Sequence, residues 1–236
     1  ASSTTRVEDG AAALEARPRD GPIEKAAVRP IDEQDVHEYT WTVTAVYDRR
    51  PDCMTVDARW PRRMVLVNGQ HIGPAIYATQ GDVVKVTVRN MIQPYDLGHD
   101  ILHGISVHWH GLKQRSSTQW SDGVGWLHQC PIGYNQSYTY TIDTTEDSPG
   151  THWWHAHTGS DNADGLYGAF IVLERPGSRL PDDLAYDFDL PPLFIQGWWN
   201  YSAPTLEWGV GQEVLRWVAN PQSILMNGKG VNGPSL

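Results

Sequence analysis

From Glu38 onward, apolar and polar residues alternate with a period of two in a succession of short runs rich in Val, Ile, Thr, Tyr and Trp. Tyr39–Tyr47 reads YTWTVTAVY, and the same habit returns over 62–69, 82–90, 105–111, 137–143, 151–157 and 167–174. Alternation of this kind marks strands that turn one face to a core and the other to water. Asn-Gly, Asp-Gly and Pro punctuate the runs and supply the turns. Residues 36–175 are therefore expected to form an all-β domain, an antiparallel Greek-key β-sandwich.

The flanks differ. Residues 1–35 mix Ala, Pro, Arg and acidic residues with no sustained period, and read as a flexible N-terminal extension. The AAALEAR stretch inside it lies between Gly10 and Pro18 and is too short to hold a helix by itself. After Pro176 a Pro- and Asp-rich connector leads into LFIQGWWNYSA and VLRWVANPQSILMNGKG. Residues 176–236 are too few for a second complete sandwich after that connector. The chain is accordingly expected to be a fragment, a truncated product or an incomplete gene model.

Composition narrows the partners. The chain has 236 residues, 40% of them apolar, and its 11 Trp speak for a packed core. Lys and Arg number 18 against 28 Asp and Glu, and a net charge of −10 repels a phosphate backbone, which argues against nucleic acid. No run of apolar residues is long enough for a membrane-spanning helix. The sequence starts at Ala1 and contains no charged-then-apolar leader, so a signal peptide is expected to be either absent or already removed. Asn135 and Asn200 head Asn-X-Ser tripeptides that would accept glycans in a secreted protein. Cys53 and Cys130, the two cysteines, cannot make a thiolate metal cluster, although they could pair with each other in an oxidising compartment.

The chemistry lies in two histidine pairs, His108-Trp109-His110 and His155-Ala156-His157. On a strand, positions i and i+2 point to one face roughly 6.6 Å apart, so paired imidazoles can serve neighbouring ions as readily as one shared ion. That spacing points to a polynuclear centre. Imidazole suits copper, zinc, iron or nickel, so the histidines by themselves leave the metal open. A hydrolytic zinc site is an alternative, but no HExxH general-base motif is present. The remaining histidines, His37, His71, His99, His103, His128 and His152, receive no metal role.

The segments HWHGLKQ (108–114), WSDG (120–123), QCPI (129–132), GTHWWHAHTG (150–159) and DGLYGAFIV (164–172) together resemble the first domain of multicopper oxidases, within them ascorbate oxidases and laccases. The resemblance implies a cupredoxin fold, followed by an incomplete second cupredoxin domain. It names the metal as copper. His108 would ligate the type 2 copper, His110 and His155 one copper of the type 3 pair, and His157 the other. The family takes its remaining cluster ligands and its type 1 copper ligands from a C-terminal domain, through HPxHxHG-like and HCHxxxH-like motifs that this chain lacks. The missing C-terminal domain, or another chain, would complete the cluster.

Further roles follow from the same resemblance. Asp122 matches an acidic residue that helps deliver protons to reduced oxygen; it is also the first residue of an Asp-Gly turn. Trp217 falls where ascorbate oxidases stack a reductant, and core packing is its alternative role. The cysteines like Cys53 and Cys130 bond in the family to partners in the second and third domains. The implied activity couples one-electron oxidation of ascorbate, or alternatively a phenol, to reduction of dioxygen to water. The protein would be secreted, and this chain would be inactive without its missing ligands.

Overall fold

The computed structural model describes residues 4–6, 35–46, 62–93, 104–114, 116–175, 178, 189–211 and 220–230. Two sheets pack face to face. The first contains β1 (Thr4–Arg6), β2 (Val36–Val46), β3 (Met64–Val67), β5 (Val83–Asn90) and β7 (Ser137–Asp143). The second runs in the order β4 (Ile76–Thr79), β9 (Tyr167–Leu173), β8 (Gly150–Ala156) and β6 (Val107–His110). The alternation seen in the sequence explains the packing. Trp41 and Val43 of β2 and Val84, Val86 and Val88 of β5 face Trp109, Trp154, Ala156 and Phe170 in one continuous core.

The expectation of purely antiparallel pairing needs correction. β2 pairs with β5 in parallel, and β4 pairs with β9 in parallel. Alternation fixes the face of each residue but not the direction of the neighbouring strand, whereas a parallel pair requires a crossover. Here the chain supplies it by passing from one sheet to the other between β3 and β7. β4 lies outside the alternating runs named from the sequence, and its Ile76 and Ala78 are buried strand residues. Within the extension expected to be flexible, Thr4–Arg6 lies parallel to the start of β2.

Beyond the sandwich, β10 (Ile195–Trp198) and β11 (Ser223–Met226) form an antiparallel pair with Ile195 opposite Met226. Between them α1 (Ala203–Val210) starts after Ser202, with Pro204 in its first turn. Pro suits that place because its missing N–H is one the helix would leave unpaired.

Candidate metal centre

The register of β6 against β8 builds the site. Val107 pairs with Ala156, His108 with His155, Trp109 with Trp154, and His110 with Trp153. Because faces alternate, Trp109 and Trp154 go inward while His108, His110 and His155 share the outer face. Trp154 packs 4.4 Å from the Trp41 ring, centroid to centroid, and is fully buried. A Cβ on Gly168 would lie 2.6 Å from its indole, so the directly opposed position on β9 must be glycine. That close approach is what Gly168 serves.

On the outer face the four predicted histidines stand as one group. Ring centroids lie 5.6 Å apart for His108 and His110, 5.5 Å for His108 and His155, 5.1 Å for His108 and His157, and 5.8 Å for His155 and His157. One ligand atom from each of His108, His110 and His155 lies within 4.8 Å of the others. His110 Nδ1 and His155 Nε2 are 3.2 Å apart. Trp153 stacks on His155 at 4.1 Å and leans on His110 at 5.2 Å.

Backbone carbonyls set the tautomers. His108 Nδ1 donates to the Asp122 carbonyl at 2.8 Å, and His155 Nδ1 donates to the Ala156 carbonyl at 2.9 Å. A carbonyl can only accept, so both rings carry their proton on Nδ1 and present Nε2 as an acceptor or ligand atom, which His155 turns toward His110 Nδ1. Burial, with the neighbouring imidazoles adding, pushes the His155 pKa down to about 4. Burial also lowers His108, against the opposing pull of Asp122. Neutral imidazole is the ligating form, so surroundings that disfavour protonation keep these rings in the state a metal ion requires.

Asp122 reaches the site twice. Besides its carbonyl, its carboxylate lies 3.4 Å from His108 Nδ1 through Oδ1 and 3.5 Å from His128 Nδ1 through Oδ2. Gly123 makes this approach possible: its φ is +81°, and a Cβ there would meet the Val107 carbonyl at 1.7 Å. His128, given no role from the sequence, thus flanks Asp122; only the fold reveals this, because the two are joined by a turn and not by strand spacing.

The other candidates separate from the centre. His152 donates to the Ser148 carbonyl at 3.1 Å, and His37 pairs with Asp82 at 2.8 Å. His71 is turned toward Trp198 and Tyr167. Cys130 is exposed with a free thiol. Trp217, Cys53, His99 and His103 lie outside the described residues.

Comparison with known proteins gives a consistent picture. Residues 50–177 match the multicopper oxidase family. An L-ascorbate oxidase of Brassica rapa subsp. pekinensis is 35% identical over 201 residues, which are 85% of this chain and 32% of that protein. Laccase-2 of Oryza sativa subsp. japonica is 38% identical over 146 residues, 62% of this chain and 24% of the laccase. Among solved structures, Fet3p, a multicopper oxidase that functions in iron import, superposes with a TM-score of 0.63 at 26% identity, covering 83% of this chain and 33% of that one. The laccase from Botrytis aclada gives 0.61 at 30% identity, covering 82% and 31%. The chain thus spans about a third of the length of the ascorbate oxidase it matches, 32% of it.

Proposed function

The chain belongs to the multicopper oxidase family, and on that premise we propose that the outer face of β6 and β8 supplies four histidine ligands to a copper cluster that reduces dioxygen. One observation carries the reading: His110 Nδ1 and His155 Nε2 stand 3.2 Å apart with no side chain between them. Two nitrogens that each sit about 2.0–2.1 Å from a tetrahedral ion are roughly 3.3 Å apart, so this pair is spaced for one shared metal. That supports His110 and His155 as ligands of one type 3 copper. His108, with its Nε2 free, would hold the type 2 copper, and His157, past the end of β8, the second type 3 copper.

Copper bound there would supply one-electron redox steps, and in the complete enzyme the four electrons that convert dioxygen and four protons to two waters would come from the reductant by way of the coppers. The protein's own groups do the rest. The Asp122 and Ala156 carbonyls fix the ring orientations. The Asp122 carboxylate, lying between His108 and His128, would hold and pass protons toward the reduced oxygen. The remaining ligands and the type 1 copper would come from a C-terminal domain or another chain.

We take the reductant to be ascorbate, with a phenol as the alternative. The L-ascorbate oxidase match extends over 201 residues against 146 for Laccase-2, and it is this longer reach, not the identity, that favours ascorbate. Trp217 would offer its indole face to that substrate. Secretion fits the exposed turn at Asn135, a sequon position, and among the described residues no helix is long and apolar enough to cross a membrane. Oxygen uptake by the whole protein that contains this chain, with ascorbate against a diphenol, tests the substrate. A faster rate with ascorbate is expected, and a strong diphenol preference overturns that choice.

A second reading, a copper-binding module without enzymatic activity, is favoured by the exposure of His110 and His157. It predicts that the copper-loaded chain consumes no oxygen by itself.

A further inference from the structure

Next to the end of β8, two arginines and two aspartates are buried together. Arg63 Nη1 donates to Asp161 Oδ1 and to Asp164 Oδ2, each at 2.7 Å, with all three side chains fully shielded from water. Arg62 Nη1 donates to Asp164 Oδ1 at 2.6 Å. The charges balance two against two. A buried ion pair adds little net stability over apolar side chains of the same volume, so stability alone is a poor account of this cluster. Its placement offers a better one.

Asp161–Asp164 forms a 3-10 turn that begins four residues after His157. On one side this turn holds the histidine strand. Leu166 N–H donates to the Asp161 carbonyl at 3.1 Å, and Ala156 N–H donates to the Leu166 carbonyl at 2.9 Å, between His155 and His157. On its other side the turn is gripped by the segment that begins at β10. Arg62 donates to the Tyr201 carbonyl at 2.8 Å and to the Ala163 carbonyl at 2.9 Å, and its guanidinium lies 3.4 Å over the Trp198 ring. Asp164 Oδ1 accepts the Ala203 N–H at the start of α1 at 2.8 Å. Gln196 Nε2 donates to the Asn162 and Ala163 carbonyls at 3.3 Å each. Contacts therefore run unbroken from Trp198 to the backbone beside both histidines.

We infer that this buried cluster is a positioning device: docking of the β10–α1 segment on the 161–164 turn sets where His155 and His157 stand. Arg62, Asp161 and Gln196 thereby tune the metal site without touching the ion. The inference rests on the copper reading above. Planar guanidinium is suited to the task, because its fork can hold two carbonyls, a carboxylate and an aromatic face at fixed angles, which an ammonium cannot.

Hydrogen exchange on the metal-free chain, together with copper titration against a competing chelator, tests it in Gln196→Ala, Arg62→Met and Arg62→Lys. In the first two, amides of Ala156 and Leu166 should exchange faster by about tenfold while those of β5 and β7 keep their rates. Copper affinity should fall by about tenfold, in the range seen when a ligand's supporting partner is lost. Arg62→Lys should recover only part of both effects. Gln196→Ala removes neutral hydrogen bonds only, so it decides the matter should Arg62→Met fail to fold.

Unchanged exchange and unchanged affinity in a folded Gln196→Ala protein overturn the inference. So does a uniform rise in exchange across the sandwich, which would make the cluster a general stabiliser. Failure of the unaltered chain to bind copper, with the local exchange response present, instead sinks the copper reading and leaves the coupling standing.

Discussion

His108 and His155 face each other directly across the β6–β8 pair, with ring centroids 5.5 Å apart. The strand register itself places them, because the backbone pairing of β6 with β8 sets both positions on one face. His155→Ala should therefore leave the fold intact and lower copper affinity by more than the roughly 10- to 100-fold that loss of a mere supporting partner costs. His152→Ala, whose ring bonds to the Ser148 carbonyl instead, should leave affinity unchanged. Competition titration of copper on both variants checks the contrast.

Gly123 controls the reach of Asp122 to His108. A methyl group there would overlap the Val107 carbonyl, at 1.7 Å, on a backbone with φ of +81°. Gly123→Ala should cost roughly 1–3 kcal/mol from the strained conformation alone, and more as the turn moves. Loss of the Asp122 carbonyl should also free the His108 ring, which histidine NMR of the metal-free chain would register as a mixture of tautomers.

Trp154 ties the site to the core. Its ring is fully buried against Trp41, and its Nε1 donates to the Pro74 carbonyl at 3.1 Å. Trp154→Ala should cost about 3–5 kcal/mol, the usual penalty for emptying so large a buried volume. Urea unfolding measures it directly.

His71 makes stability depend on acid. Neither ring nitrogen has a hydrogen-bond partner among the described residues, and burial, with Arg62 adding, pushes its pKa down to about 4 from the ordinary 6.5. The folded pKa lies below the unfolded one, so the unfolded chain takes up the proton first as pH falls. The contribution is fully present above pH 6.5 and is lost as pH drops through 4, by up to about 3 kcal/mol. His71→Phe should flatten the slope of unfolding free energy between pH 6.5 and 4. His155, depressed in the same way, leaves a residual slope.

Much of this arrangement was legible in the residues. The HxH spacing predicts that each pair shares one face, and β6 and β8 carry that pattern out with Trp109 and Trp154 on the buried side. What the sequence withheld is what alternation cannot encode. Parallel pairing of β2 with β5 depends on the path between them, and β4 was hidden because its four residues follow a glycine- and proline-containing turn. Asp122 was found through resemblance, whereas His128 came to its side only through the turn at Gly123. Nothing local to Arg62, Arg63, Asp161 or Asp164 announces that partners about a hundred positions apart will be buried together.

The most direct test of the account is a crystal structure of the copper-loaded chain with anomalous scattering recorded across the copper edge. The account predicts copper density on the outer face of β6 and β8, within bonding distance of His110 Nδ1 and His155 Nε2, with His108 and His157 alongside. Copper held elsewhere, or no copper at this face under saturating conditions, would contradict it.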